Sequence, residues 1–368
     1  MPESTGSEST DRAVTIYDVA EAAGVAASTV SRALSRPDRV SFRTAERIRQ
    51  TADRLGYRSR LATRTPGPAE APTRTDNLGL VVADITNPFF LEILHGAEHA
   101  ARTQNMTVTV ANTQESVPRA LRAIEQLIPH VDGLMLASAR LSQGEIQKIA
   151  RTIPTVVVNR PVQGVPSVLV DNHEGAIKAA IHLEAQGARS ITYLAGPEDS
   201  WADATRWRGL VDAVSHTDST DPTVSLTSAT RLSLEHVRRL AHVSVRQQRV
   251  DEPTIRGGRR AFEVWRRDPT DAVLCFNDLV AVGFLQQARV NGVAVPDGVA
   301  VIGFDNTEMT TIVSPSLTTV AGPLRAVGRV TAANLIALVK GIRTTFVKPR
   351  VLPTRLIVRE STMRLPRR

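Results

Sequence analysis

TIYDVAEAAGVAASTVSRALSRPDRVSFRTAERIRQTADRLG, residues 15–56, carries its apolar side chains at helical spacing in three short stretches. The first, 16–23, is stopped by Gly24; the second covers 28–34; the third, 43–55, is stopped by Gly56. A glycine at the turn, a Ser or Thr able to cap the second helix, and small residues where two helices would cross are what a close-packed helix-turn-helix requires, with a third helix behind it. In that geometry the second helix enters the DNA major groove. Ala27, Ser28 and Arg32 then face base edges, while Thr15, Tyr17, Ser31, Ser41 and Thr44 reach phosphates. Thr29, Tyr57 and Arg64 complete the candidate DNA-binding set, in which Arg32 is the one long donor aimed at bases. A three-helix protein-interaction bundle is the alternative, but it leaves the exposed Ser/Thr/Arg set without a purpose.

Charge supports the same segment. Residues 13–64 hold ten arginines, no lysine and five acids, a local charge of +5 in a chain whose total is +8. Only Lys148, Lys178, Lys340 and Lys348 of the 45 basic residues are lysine, and arginine is the side chain that forks onto phosphate and guanine.

The run TRTPGPAEAPTRTD, 63–76, is rich in Pro, Thr and Ala without apolar period and separates two folding units. Beyond it strands and helices alternate: strands at 78–85, 106–113 and 133–138 with helices at 90–104 and 117–128, then strands at 190–196, 271–278 and 299–306 with helices at 204–214 and 279–290. Two such series predict an α/β body of two lobes, each a doubly wound parallel sheet, whose ligands sit at the carboxyl ends of the strands. Residues 217–253 read as a loop-rich insertion. The expected organisation is a disordered N-terminus at 1–12, a helix-turn-helix domain at 13–59, a linker at 60–76, a body at 77–362 and a basic tail at 363–368. The first lobe takes about 77–171 and 321–350, the second about 172–320 and 351–362.

The 368 residues, 42% hydrophobic and 22% charged, are enough for two or three domains with true cores. No stretch approaches the ~18 consecutive apolar residues of a membrane span, and the polar, acidic start MPESTGSESTDR lacks the order of a signal peptide, so a cytoplasmic protein without a membrane partner is expected. The single cysteine, Cys275, excludes an internal disulfide and a Cys-based zinc site. No Gly-rich phosphate loop, H-E-x-x-H or Ser-His-Asp signature occurs and the eight histidines are scattered, so no enzyme, metal or cofactor is expected.

Polar or aromatic residues close several apolar strands. Asn87, Phe89 and Phe90 follow the first strand of the body; Asn159 ends TVVV, Asn277 and Asp278 end AVLCF, and Asp305 ends VAVIGF. These converge on one cleft, although Phe90 also fits a plain core position and Asp278 a helix cap. Trp201 and Arg206 enter a helix within GPEDSWADATRWRG, 196–209, and aromatic platforms beside a forked donor suit sugar rings and carboxylates.

The headpiece sequence TIYDVAEAAGVAASTVSRAL with VSFRTAERI and LGY resembles the LacI/GalR (lactose-repressor) family of transcriptional regulators. The resemblance continues through LGLVVADITNPFF, ANTQES, VDGLMLAS, IPTVVVNRP, VPSVLVDN, YLAGP, AVLCFNDLVAVG, VAVIGFDNTE, PSLTTV and VLPTRLIVREST, nearly the whole chain after residue 14. It implies a homodimer that binds a palindromic operator in double-stranded DNA, with a periplasmic-binding-protein-like pair of lobes holding a small-molecule effector, most often sugar-like. It also implies effector contacts from Phe89, Phe90, Arg206, Asn277 and Asp305, to which Asn87 and Asn159 at strand ends and Trp201 at the helix start are added as candidates from their own chemistry. Family members commonly have an acid where Asn159 stands, and a hinge helix ending in Ala-Arg-Ser-Leu where this chain reads Thr63-Arg64-Thr65-Pro66. Pro66 at the wedge position either prevents that helix or itself wedges the minor groove. The competing function, a small-ligand binding protein of a transport system, fits the two-lobed body alone and leaves the helix-turn-helix unused.

Overall fold

The computed structural model describes residues 14–35, 40–55, 74–138, 140–215, 240–342 and 348–363. Tyr57, Arg64, Pro66, the segment 1–12 and nearly all of the linker and basic tail lie outside the described residues. The chain divides after Thr73 into two compact units.

The first unit is three helices, α1 Ile16–Ala23, α2 Ala27–Ser35 and α3 Phe42–Leu55. The Asp18 carboxylate accepts from both the backbone N–H and the hydroxyl of Thr15 at 2.6 Å, which fixes the start of α1. Gly24 ends it at φ 62, a left-handed conformation that costs glycine nothing and lets Val25 N–H return to the Ala20 carbonyl. The core is Val19, Ala20, Ala23, Val30, Ala33, Ala45, Ile48 and Ala52. Five of these are alanine, so the helices cross closely and the larger apolar contacts fall to Val19, Val30 and Ile48.

The second unit holds two six-stranded sheets built on one plan. The first contains β1 Asn77–Val82, β2 Thr107–Asn112, β3 Gly133–Ala137, β4 Thr155–Val158, β5 Ser167–Val170 and β11 Arg350–Leu352, in the order β11-β5-β4-β3-β1-β2, all parallel. Helices α4 Pro88–Arg102, α5 Val117–Leu127, α6 Gln143–Thr152 and α12 Leu324–Val339 cover it. The second contains β6 Ser190–Ala195, β7 Ser244–Arg249, β8 Ala272–Cys275, β9 Ala300–Phe304, β10 Thr318–Ala321 and β12 Arg355–Ile357, in the order β12-β10-β9-β8-β6-β7, with β12 alone antiparallel. It packs against α7 Asn172–Ala185, α8 Trp201–Ser215, α9 Ile255–Trp265, α10 Asp278–Val290 and the single turn α11 Met309–Ile312. Central strands such as β3, β8 and β9 are buried end to end, as sheets covered on both faces demand. In both sheets the strand order reverses beside the first strand, at β1/β3 and at β6/β8, which opens a crevice beyond the carboxyl ends there.

The chain passes between the lobes between β5 and α7, between β10 and α12, and between β11 and β12. Two boundaries expected from sequence are corrected. Thr318–Ala321 pairs in the second sheet, so the first lobe resumes at Leu324; Val351 and Leu352 pair with β5, so the second resumes only at Arg355. The expected insertion at 217–253 contains β7, an edge strand whose sequence SVRQQR has no apolar run because one side of it meets solvent.

Candidate functional site

On the first unit, the face of α2 away from the core presents Ser28, Ser31 and Arg32 to solvent, with Ala27 and Thr29 half-buried. Among the described residues the Arg32 guanidinium meets the Ser28 hydroxyl at a long 3.5 Å, which holds it loosely enough to be redirected. Tyr17 is 72% exposed at the start of α1, and Thr15 lies in the cap before it. Ser41 and Thr44 bond to each other at 2.7 Å at the start of α3, where the Ser41 hydroxyl also accepts from Thr44 N–H. Backbone N–H groups and hydroxyls at helix starts are suited to phosphate oxygens.

The second unit has a cleft of about 410 Å³, its open mouth included, between the carboxyl ends of the two sheets. From the first lobe it is lined by Asn87, Phe89, Phe90, Glu115, Ser138, Arg140 and Asn159, and from the second by Ser200, Ala202, Arg206, Pro253, Phe276 and Asp305. Asn87 caps α4 by accepting from Phe89 N–H at 3.0 Å, which sets the two phenylalanines at the cleft wall as an edge-to-face pair 5.0 Å apart. Ser138, Asn159 and Asp305 end their strands at φ 55, 63 and 108, and Glu115, just beyond β2, stands at φ 59. Positive φ in non-glycine residues is strained, and such residues gather where a structure aims side chains at a ligand.

Arg206 forms the floor. Its Nε donates to Asn172 Oδ1 at 2.9 Å, its Nη1 to the Phe276 carbonyl, and its Nη2 lies 3.5 Å from Asp305 Oδ1. The guanidinium also lies 3.7 Å from the Phe304 ring centre and 5.0 Å from that of Phe276. Asn172 passes the chain of bonds on to Asn159 Oδ1 at 3.0 Å, which ties the floor of the second lobe to the wall of the first. Burial pushes the Asp305 carboxyl well up from its ordinary value, Arg206 opposing and the neighbouring Asp278 reinforcing. Asp278 lies behind the cleft, where it accepts from Thr319 Oγ1 at 2.6 Å and from Thr307 N–H at 2.7 Å. Burial raises its pKa to about 6 against those hydrogen bonds. Gly303 is required beside it, since a Cβ there would come within 2.3 Å of its Oδ1.

Of the eight residues expected from sequence, Asn87, Phe89, Phe90, Asn159, Arg206 and Asp305 come together in the cleft, and Trp201 and Asn277 do not line it. Asn277 caps α10 through Val280 N–H and donates to the Pro253 carbonyl, so its amide faces the protein at both ends. Trp201 is the first residue of α8, between the lining residues Ser200 and Ala202, while Trp207 stacks on the buried Tyr193 ring against the core. Glu115, Ser138, Arg140, Ser200, Ala202, Pro253 and Phe276 join the lining without having been singled out. Ser138 and Phe276 gave one signal in the sequence, their position just past an apolar strand. Cys275 is fully buried and its thiol pKa is pushed far up by burial. Among the described residues no group of His, Cys, Asp and Glu could hold a metal ion, and no helix is long and apolar enough to cross a membrane.

Residues 15–59 match the model of the bacterial regulatory proteins of the lacI family, 75–241 that of the periplasmic binding proteins and sugar binding domain of the LacI family, and 180–362 that of a periplasmic binding protein-like domain. The chain is 31% identical over 361 residues to the HTH-type transcriptional repressor CytR of Escherichia coli, covering 97% of this chain and 98% of that protein. It is 29% identical over 350 residues to the ribose operon repressor of Halalkalibacterium halodurans, covering 95% and 97%. Among solved structures it resembles a CelR–cellobiose complex, with a TM-score of 0.63 and 29% identity over 95% of this chain and 99% of that one. A LacI family transcriptional regulator from Enterococcus faecalis with bound ribose gives a TM-score of 0.66 and 26% identity over 79% and 100%. Similarity that runs through helix-turn-helix and body alike makes this chain a member of the LacI family, a DNA-binding transcriptional regulator and not an enzyme.

Proposed function

We propose that this chain is a cytoplasmic, homodimeric repressor that binds a palindromic operator through paired helix-turn-helix units and answers to a sugar or sugar derivative in the cleft between its lobes. The observation that carries it is one chain holding both a helix with an exposed Ser/Arg face and a cleft in which three phenylalanines alternate with carboxylate, guanidinium, amide and hydroxyl groups. Aromatic faces with a few convergent polar groups suit the alternating C–H and O–H surface of a sugar ring. Relatives solved with cellobiose and with ribose support the same ligand class. The ligand bridges two lobes joined by three chain crossings, so binding biases their closure and with it the placement of the DNA-binding units in the dimer.

The test is selection of duplexes from a random pool by the purified full chain, followed by gel shift of the winner with and without a panel of sugars. Enrichment of one palindrome, and a sugar that changes its affinity roughly tenfold or more, is the expected result. A sugar that raises the melting temperature while no sequence is enriched would favour the transport-type binding protein instead.

A further inference from the structure

The two arginines of the cleft are in opposite states. Arg206 has an acceptor before each of its three nitrogens, and its carbon lies over two rings. Arg140 projects from the loop after β3 with its side chain only 8% exposed, and its Nε lies 2.6 Å from Glu115 Oε2 and 3.6 Å from Asp199 Oδ1. Both its terminal nitrogens lack a hydrogen-bond partner among the described residues, and so does the other Glu115 oxygen, Oε1. A buried donor without an acceptor loses its hydration and gains nothing in return, and these donors belong to a residue in the lining of the cleft. The missing acceptor is therefore sought in a ligand.

The charge beside Arg140 narrows the class of that ligand. Glu115 already neutralises the guanidinium, and the Asp199 carboxylate lies 3.6 Å from the same Nε. A carboxylate or phosphate on the free nitrogens would sit against the free Glu115 oxygen, whereas a hydroxyl donates to one and accepts from the other. Two neighbouring hydroxyls use both nitrogens and the carboxylate together. We propose that Arg140 and Glu115 form a clamp for adjacent hydroxyls of an uncharged sugar and exclude its acidic and phosphorylated counterparts. The clamp rests on the sugar assignment above and adds the residues that set specificity within it.

The test uses the full chain with matched probes: ribose against its phosphate ester, cellobiose against cellobionate, and glucose against glucuronate, read by thermal shift and calorimetry. In the wild type a neutral member should bind roughly tenfold or more tightly than its acidic partner. Arg140→Gln should weaken the neutral sugar about tenfold. Glu115→Gln, which keeps the shape and removes the charge, should narrow the neutral-to-acid ratio about fivefold or more, a change that loss of packing alone would not produce. Tighter binding of the acidic member by the wild type, or an unchanged ratio in Glu115→Gln with neutral binding intact, would overturn the clamp and leave the sugar assignment standing. Failure of every probe to bind would overturn the assignment and the clamp with it.

Discussion

Arg206 holds Asp305, Asn172 and the Phe276 carbonyl in one buried network, so its removal is expected to act on folding before it acts on ligand. Arg206→Met should lower the stability of the ligand-free protein by about 3–5 kcal/mol, because a buried charge and a carbonyl lose their donor together. Urea unfolding without ligand measures this, and an unchanged midpoint with lost ligand binding would make Arg206 a ligand contact only. Asp278 gives a pH-dependent prediction. Its folded pKa of about 6 lies above the unfolded value near 3.8, so the folded state binds the extra proton and this group's contribution to stability falls as pH rises from about 4 to 6. His182 slopes the other way, since burial lowers its pKa and its contribution is lost as pH falls below about 6.5. Asp278→Asn should therefore remove only the first slope, seen as the difference between wild-type and variant urea midpoints at pH 4.5 and 6.5; an identical slope in both would contradict the assignment. Asn159 and Asp305 were legible in sequence because each closes an apolar strand. Arg140 was not, since a loop reaches the cleft only through the packing of elements distant in sequence.

At the scale of elements, α2 should act as the reading helix. Arg32→Ala is expected to weaken operator binding by about 1–3 kcal/mol and to relax preference at one base pair per half-site. Binding assays on the selected palindrome and on single-base variants measure it, and equal loss on random DNA would move Arg32 to a phosphate. The three helices of the first unit were legible because 3.6-residue spacing and two glycine stops agree along 15–56. The central strands were legible as unbroken apolar runs. Edge strand β7 was hidden because half of its surface faces water and its arginines and glutamines imitate a loop. The three-residue strands β11 and β12 are too short to carry any period, and which lobe each joins is decided by pairing partners far away in the chain.

For the molecule as a whole, residues 74–368 form a unit with its own cores and should fold without the helix-turn-helix. A fragment of residues 74–368 is expected to remain a dimer at micromolar concentration and to show the same sugar-induced thermal shift as the full chain. One three-helix unit reads too few bases to be selective, and a palindrome demands two-fold symmetry from the protein that reads it. Sedimentation velocity decides the point: a monomeric fragment would place the dimer contact before Arg74. The doubling of one lobe plan was visible from sequence as two β-α series. The exact crossings at 321–324 and 352–355 were not, because the chain changes lobes there without any break in composition.

Glu115, Ser138, Asn159 and Asp305 all hold left-handed backbone at the rim of the cleft. The side chains of Glu115, Asn159 and Asp305 are held by Arg140, Asn172 and Arg206, whereas the Ser138 hydroxyl has no hydrogen bond among the described residues. Glycine at Ser138 should therefore relieve a strain of about 1–3 kcal/mol and make the unliganded protein harder to melt while blunting its response to ligand. Ser138 is then the rim position that can change with least penalty to folding. New ligand preferences can be acquired by drift at Ser138 while the sheets beneath, and the DNA-reading helices in the other unit, stay as they are.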